Sequence, residues 1–427
     1  MEAIRIVGPA RLRGTAGLAG AKNAALPILV AAFAAEGPVT LENMPTGLED
    51  VRVLMEILRE LGGVIEEPAP NVVRVVKSDL RSWDVPPELA GRIRSSLLLL
   101  SLLLGRKGRA RLGLPGGCEI GDRKFDLHLM GLEALGARTR VTESAIEAEA
   151  AALSGADIHL RLATTSGTEN IMLAACFAKG RTRILNAHLR PEVEDFAHML
   201  NALGADIRIS ARKVEVNGGR PLRGGVYRVM PAWDEGLTIM CGAAMARGEV
   251  RVDGMGREFL ARYNIGEHLD VLSRSGASVC AWDECVFVKG PERLNPMHVV
   301  TGPHPCITTD LHPVYAAMAS MAVGESSFTD TRWPDRFAYV EEFRKLGVDI
   351  NQYGDCSVVC GGRPLSGAHV VARDLRCGAA LAILALAAEG ETVISNVYQL
   401  DRGYCRFEET LRGLGAQAER IDVADDS

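Results

Sequence analysis

Val53-Leu54-Met55-Glu56-Ile57-Leu58-Arg59-Glu60-Leu61-Gly62 spaces its apolar residues along one helix face and stops on a glycine. Apolar positions three and four apart mark an amphipathic helix. Glycine ends such a helix well because it takes left-handed backbone angles without a Cβ penalty. A Leu-Gly-Ala tripeptide, or a close variant, ends an amphipathic segment six times, with its glycine at Gly62, Gly136, Gly204, Gly276, Gly347 and Gly415, 68 to 74 residues apart. An alternating strand follows, as in Asp206-Ile207-Arg208-Ile209. A second landmark repeats in phase: an alanine- or leucine-rich helix ends at Gly37, Gly108, Gly180, Gly248, Gly324 and Gly390, each 23 to 28 residues before its partner. Each unit therefore reads strand, helix, strand, helix, strand, with Val39-Thr40-Leu41-Glu42-Asn43 as one middle strand. Alternation of this kind implies layered α/β packing.

Units of this length exceed the roughly 20 to 50 residues of stacking solenoid repeats, so closed domains fit better. A chain of 427 residues also exceeds the roughly 250–300 residues at which one hydrophobic core stops growing. Six units divide into two domains of three, with the linker placed near Gly224-Gly225 to Gly236, where Gly and Pro cluster around Pro221, Pro231 and Trp233.

Composition narrows the function classes. Apolar residues make up 47% and charged residues 24%, as in soluble globular proteins, which argues against disorder and coiled coil. A formal charge of −6 gives no overall basic character to attract nucleic acid or an anionic membrane, so any anion site must be built locally. The most lipid-like stretch, Leu97 to Leu104, is about half the roughly 20 residues a membrane helix needs and reads as a buried helix. Met1-Glu2-Ala3-Ile4-Arg5-Ile6-Val7 alternates like a strand and lacks the pattern of a secretion signal, which leads to the expectation of a cytoplasmic protein. The ten cysteines match no metal or redox spacing and read mostly as small buried hydrophobes. Cys118 is set apart, because glycines flank it and Arg123 lies five residues on; nearby positive charge activates a thiol.

Two runs are more specific than this architecture: Gly20-Ala21-Lys22-Asn23-Ala24-Ala25-Leu26-Pro27 and Leu114-Pro115-Gly116-Gly117-Cys118-Glu119-Ile120-Gly121-Asp122-Arg123. With Pro303-His304-Pro305 leading to Thr309-Asp310, then Asp335-Arg336-Phe337, Asp374-Leu375-Arg376 and Asp401-Arg402-Gly403-Tyr404, the chain resembles the UDP-N-acetylglucosamine enolpyruvyl transferases (the MurA family) from end to end. The resemblance implies an α/β fold of two inside-out α/β barrels, each of three βαβαβ-type units, with substrates in the cleft between them. The domains would be residues 22–231, and residues 1–21 with 232–427. It also implies addition of an acceptor hydroxyl to C2 of phosphoenolpyruvate, followed by elimination of phosphate, without metal or cofactor.

Carried over residue by residue, the cations for phosphoenolpyruvate are Lys22, Arg94, Arg123, Arg336, Arg376 and Arg402. A small molecule bearing both a phosphate and a carboxylate calls for several fixed cations on chemical grounds alone. Asp310 becomes the candidate base and Cys118 the candidate acid, with Lys22 beside them; Cys118 is also the position a fosfomycin-type inhibitor alkylates. A uridine nucleotide would be bound through Asn23, Arg123, Asp126 and Leu127, and through the loop Thr165-Ser166-Gly167. Read without the resemblance, Asp310 is a helix cap and each arginine a solvated surface charge.

The departures from the family pattern cluster at the acceptor. Ala163 stands where a lysine usually precedes the phosphate loop, Arg190-Pro191-Glu192 replaces Glu-Pro-Glu, Ala232-Trp233 replaces Asp-Arg, Lys124 sits beside the uridine run, and Gln399 replaces a histidine of some members. Two acceptors follow: UDP-N-acetylglucosamine, or a nucleotide such as UMP enolpyruvylated on its ribose in nucleoside-antibiotic biosynthesis. A catalytically silent uridine-nucleotide-binding paralogue is the alternative from another class.

Overall fold

The computed structural model describes residues 2–116, 124–333 and 336–423, which form two compact units: residues 2–18 with 231–423, and residues 19–116 with 124–230. Each unit carries three four-stranded sheets among its described residues, all with one pattern of strand directions. In one of them Asp157–His159 runs parallel to Gly180–Leu185, which pairs antiparallel with Lys213–Gly218, which pairs antiparallel with Ile207–Ser210. The repeat is thus strand, helix, strand, helix and a closing hairpin, one strand more than the five-element pattern read from the sequence. All six glycines that follow the second helix have φ between +90° and +106°, the left-handed conformation required one residue past a helix end.

The first helix of every unit is apolar on all sides and buried. These are Lys22–Ala32, Leu99–Lys107 and Thr165–Phe177 in one compact unit, and Trp233–Met245, His312–Ala319 and Leu375–Ala385 in the other. The run Leu97 to Leu104 is buried as its composition indicates. The sheets alternate buried and half-buried positions, as in Lys213–Gly218, so one face packs on helices and the other is turned toward solvent. Helices lie inside and sheets outside.

Closure of each ring uses a strand distant in sequence. Glu2–Gly8 enters the middle of a sheet between Gly390–Ser395 and Gln417–Asp422, and Arg13–Ala16 pairs parallel with Glu249–Asp253. In the other unit Gly225–Arg228 pairs parallel with Val39–Glu42. The stretch read as a linker therefore begins with a strand and ends inside the Trp233–Met245 helix; the change of unit falls between Met230 and Pro231. The cysteines also differ from expectation: of the nine described, Cys176, Cys241, Cys285 and Cys377 are buried, while Cys280 and Cys306 are exposed. No helix among the described residues is long and apolar enough to cross a membrane.

The N-terminal strand contributes Ile4 and Ile6, both fully buried. Ile6→Ala should destabilise the chain by about 2–5 kcal/mol, the usual effect of truncating a buried isoleucine. Equilibrium urea unfolding checks this, and a change under about 0.5 kcal/mol, the surface-substitution range, would show that the strand does not close the ring.

Candidate active site

In the unit formed by residues 2–18 and 231–423, the three buried helices pack against one another, and their N-terminal ends carry charged groups. Asp234 lies in the first turn of Trp233–Met245, Asp310 in the 3-10 turn Thr309–Leu311 leading into His312–Ala319, and Arg376 in the first turn of Leu375–Ala385. Asp374 caps that last helix, accepting from the amides of Arg376 and Cys377 at 2.7 and 3.0 Å. Arg336, Arg376 and Arg402 are only 6%, 4% and 5% exposed.

Such burial demands counter-charge. Arg336 Nη1 lies 2.9 Å from Asp310 Oδ1, and Arg376 Nη2 lies 2.5 Å from Asp234 Oδ2. Asp310 Oδ2 stands 3.7 Å from Arg376 Nη2, within ion-pair reach but beyond a hydrogen bond. Burial works against the Arg376 charge, but Asp234, Tyr404 and Asp310 outweigh it and hold the guanidinium protonated well above the usual arginine value. Arg336 Nη1 also donates to Thr309 Oγ1 at 3.2 Å, and that hydroxyl donates to buried Asp330. Asp330 further accepts from Thr301 Oγ1 at 3.1 Å and from the amides of Arg332 and Trp333 at 2.8 and 3.0 Å, which fixes the carboxylate. Arg336 Nε is a buried donor with no partner among the described residues, a group an anion would satisfy. Arg402 Nη1 donates to Gln399 Oε1 at 3.3 Å. Asp310 is not the cap of its turn: Thr308 is, leaving the Asp310 carboxylate to the arginines.

The other unit repeats this placement with different chemistry. Lys22 opens the Lys22–Ala32 helix, and its Nζ pairs with buried Asp50 at 3.2 Å. A Cβ on Gly20 would lie 1.9 Å from the Asn43 carbonyl, so only glycine allows the chain to start this helix here. Asn23 follows Lys22 in the first turn, half-buried. Arg94 opens the turn ahead of Leu99–Lys107, donating to the Lys124 carbonyl at 3.2 Å with its guanidinium 6.0 Å from the Phe125 ring centre. Asp126, at the start of Asp126–Ala134, pairs with Arg161, and Leu127 is buried.

Thr165, Ser166 and Gly167 form the first turn of the 13-residue helix Thr165–Phe177, an N-terminus suited to phosphate. Asn170 Nδ2 donates to His128 Nδ1 at 2.9 Å, so the ring proton sits on Nε2, which donates to Ser166 Oγ at 3.1 Å. Ser101 in turn donates to Asn170 Oδ1, which fixes the amide. Thr165 Oγ1 lies 3.0 Å from His188 Nδ1. Ala163 is buried beside this turn. Arg190 binds Glu192 through two hydrogen bonds of 3.2 Å, both groups being buried. Near them burial, then Glu192, push Glu169 up to about 8 against the pull of Arg190.

The structure thus gathers Arg336, Arg376 and Asp310 in one unit, and places Lys22, Arg94 and Thr165-Ser166-Gly167 at the corresponding helix starts of the other. Cys118 and Arg123 lie outside the described residues. Sequence reasoning missed Asp50, Asp234 and Asp330, the counter-charges. An acidic residue at a helix start ordinarily reads as dipole stabilisation, and only the packing reveals its cation.

Comparison with known proteins adds three findings. The family model described as EPSP synthase (3-phosphoshikimate 1-carboxyvinyltransferase) matches residues 6–411. The UDP-N-acetylglucosamine 1-carboxyvinyltransferase of Dichelobacter nodosus (strain VCS1703A) is 40% identical over 99% of this chain and 100% of its own length; that of Trichlorobacter lovleyi is 38% identical over 99% of both. Among solved structures, the enolpyruvyl transferase NikO from Streptomyces tendae is similar with a TM-score of 0.89 and 26% identity over 99% of each chain. An EPSP synthase from Acinetobacter baumannii shares the fold with a TM-score of 0.78, covering 99% of this chain and 100% of its own, at 20% identity.

Burial holds Glu169 neutral in the folded chain up to about pH 8, whereas an unfolded glutamate ionises near its ordinary value of 4.5. A carboxyl raised by folding stabilises fully below its unfolded pKa, and that contribution is lost as pH rises through the folded value. Glu169→Gln, neutral at every pH, should therefore lose less Tm than the parent between pH 5 and 8. Any remaining fall includes Glu235, which burial and then Asp234 also push up to about 8. Identical pH slopes for parent and variant would contradict the neutral-acid assignment.

Proposed function

The chain belongs to the EPSP synthase family of carboxyvinyl transferases, and from that premise we propose that it transfers the enolpyruvyl group of phosphoenolpyruvate to a hydroxyl of UDP-N-acetylglucosamine. The observation that carries this is the anion site itself: Asp310 stands between the buried guanidinium groups of Arg336 and Arg376, and Arg336 has a buried donor with no partner among the described residues. Full-length identity to UDP-N-acetylglucosamine 1-carboxyvinyltransferases supports the choice of acceptor.

Arg336, Arg376 and Arg402 hold the phosphate and carboxylate of phosphoenolpyruvate, with Lys22, Arg94 and Arg123 as further cations. Asp310 takes the proton of the acceptor hydroxyl as its oxygen attacks C2, and Cys118 delivers a proton to C3. The C2–O bond to phosphate then breaks, a C3 proton leaves and the vinyl group re-forms. General acid–base groups of this kind contribute about 10²- to 10⁴-fold each. The amides of Thr165-Ser166-Gly167 and the Ser166 hydroxyl, oriented by His128, receive the diphosphate, while Asn23, Asp126 and Leu127 line the nucleotide.

A second acceptor, UMP, is favoured by Ala163, which leaves the helix turn without a lysine beside it. Against it, Arg190, which replaces a carboxylate of the family pattern, is held by Glu192 in a bidentate pair that competes with a free terminal phosphate.

Phosphate release from phosphoenolpyruvate should occur only with a uridine acceptor, and kcat/KM should be highest for UDP-N-acetylglucosamine. A tenfold preference for UMP would transfer the assignment to the second reading, and absence of turnover with UMP, UDP and UDP-sugars alike would overturn the reaction.

Fosfomycin should alkylate Cys118 in a nucleotide-dependent way, and Cys118→Ser should abolish labelling. Peptide mass spectrometry showing modification of the exposed thiols Cys280 or Cys306 instead would count against Cys118.

A further inference from the structure

Every N–H of the Arg420 guanidinium, in the last strand Gln417–Asp422, is taken by a carboxylate. Nε donates to Glu408 Oε1 at 3.0 Å and Nη2 to Glu408 Oε2 at 3.2 Å. Nη1 and Nη2 grip Asp401 Oδ2 and Oδ1 at 2.8 and 2.7 Å, and Nη1 also donates to Glu2 Oε2 at 3.1 Å. Strand register explains why the side chain is there: Arg420 stands opposite Ile4, which stands opposite Ile394, and both isoleucines are buried. Directly opposed residues of antiparallel strands share a face. Arg420 therefore emerges on the helix-covered side, its side chain 14% exposed, where a guanidinium needs counter-charge. No donor is left for a ligand, so what Arg420 contributes passes through the carboxylates it holds.

One of those carboxylates leads to the candidate site. Asp401 ends the single helical turn Tyr398–Asp401, and Arg402 is the residue that caps it. So short a helix does not hold itself, because nucleation is unfavourable. Fully buried Leu400 pins one side of the turn, and the bond from Asp401 to Arg420 pins the other. The buried Arg402 side chain donates through Nη1 to Gln399 Oε1 at 3.3 Å, an acceptor on the same turn, so turn and guanidinium move as one. We infer that Arg420 is a positioning residue for Arg402: its two-point grip on Asp401 sets the turn that aims the Arg402 guanidinium at phosphoenolpyruvate. A single hydrogen bond would leave the turn free to swivel, whereas a bidentate pair fixes its orientation as well as its place. This inference rests on the proposed function for the identity of the ligand at Arg402.

The test is direct titration of the full chain with phosphoenolpyruvate in the parent, in Arg420→Gln, in Arg402→Ala and in the double variant, with a thermal melt of each. Arg420→Gln should weaken binding about tenfold in the parent background and less than about twofold where Arg402 is already alanine, since a residue that acts through another is not additive with it. A merely structural clamp would lower Tm and either leave the affinity unmoved or reduce it by the same factor in both backgrounds; either affinity result overturns the inference. Arg402→Ala that binds phosphoenolpyruvate as the parent does refutes Arg402 as a substrate cation, and this inference with it. Weak binding by Arg402→Ala beside normal binding by Arg420→Gln refutes this inference alone. A parent that never turns over while the affinities shift as stated refutes the proposed reaction alone. Should Arg420→Gln not melt cooperatively, Arg420→Lys carries the same readout, because it keeps a charge for Glu408 but lacks the fork that grips both oxygens of Asp401.

Discussion

Burying a guanidinium without a counter-charge is prohibitive, and this unit buries three. Everything around Asp310 follows from that constraint. Its carboxylate is held by Arg336 on one oxygen and faces Arg376 across 3.7 Å on the other. Asp234 pairs with Arg376, and Asp330 is linked to Arg336 through the Thr309 hydroxyl. Removing one partner from such a cluster leaves a buried charge exposed to its neighbours' fields, so the geometry is rigid by electrostatic necessity. That rigidity suits a site whose substrate carries two anionic groups.

The repeated architecture explains how the charges come together. Each unit places the starts of its three buried helices where side chains from three different repeats carry the chemistry. Helix N-termini favour anions through their unpaired amides and dipoles. In one unit these positions became Asp234, Asp310 and Arg376; in the other they became Lys22, Arg94 and Thr165. The same scaffold therefore offers arginines for a compact dianion in one unit and a neutral turn of amides with a histidine-oriented serine in the other.

Much of this was legible in the sequence, for physical reasons. The six post-helical glycines adopt φ near +100°, a conformation that other residues avoid, so the repeat could not drift without losing its mark. The cations stood in distinctive motifs. Ring closure was not legible, because Gly225–Arg228 is four residues in a Gly- and Pro-rich stretch and pairs with a strand far away in sequence. The fourth strand was hidden because Arg138–Val141 and Ala145–Glu149 are joined by so short a turn that the hairpin reads as one alternating run. Cysteine exposure failed as a prediction for a related reason: Cys280 falls on the solvent side of Ser278–Ala281, and strand register is set by tertiary pairing.

The proposed reaction requires Asp310 to act as a base while its arginine partners bind substrate. Asp310→Asn separates the two roles, since it preserves shape and removes the proton acceptor. Rapid-quench measurement of phosphate formation, paired with direct titration of phosphoenolpyruvate, should show binding at least as tight as in the parent and a rate lowered by about 10²-fold or more, the scale of a lost general base. A rate within tenfold of the parent, at intact phosphoenolpyruvate affinity, would contradict the assignment.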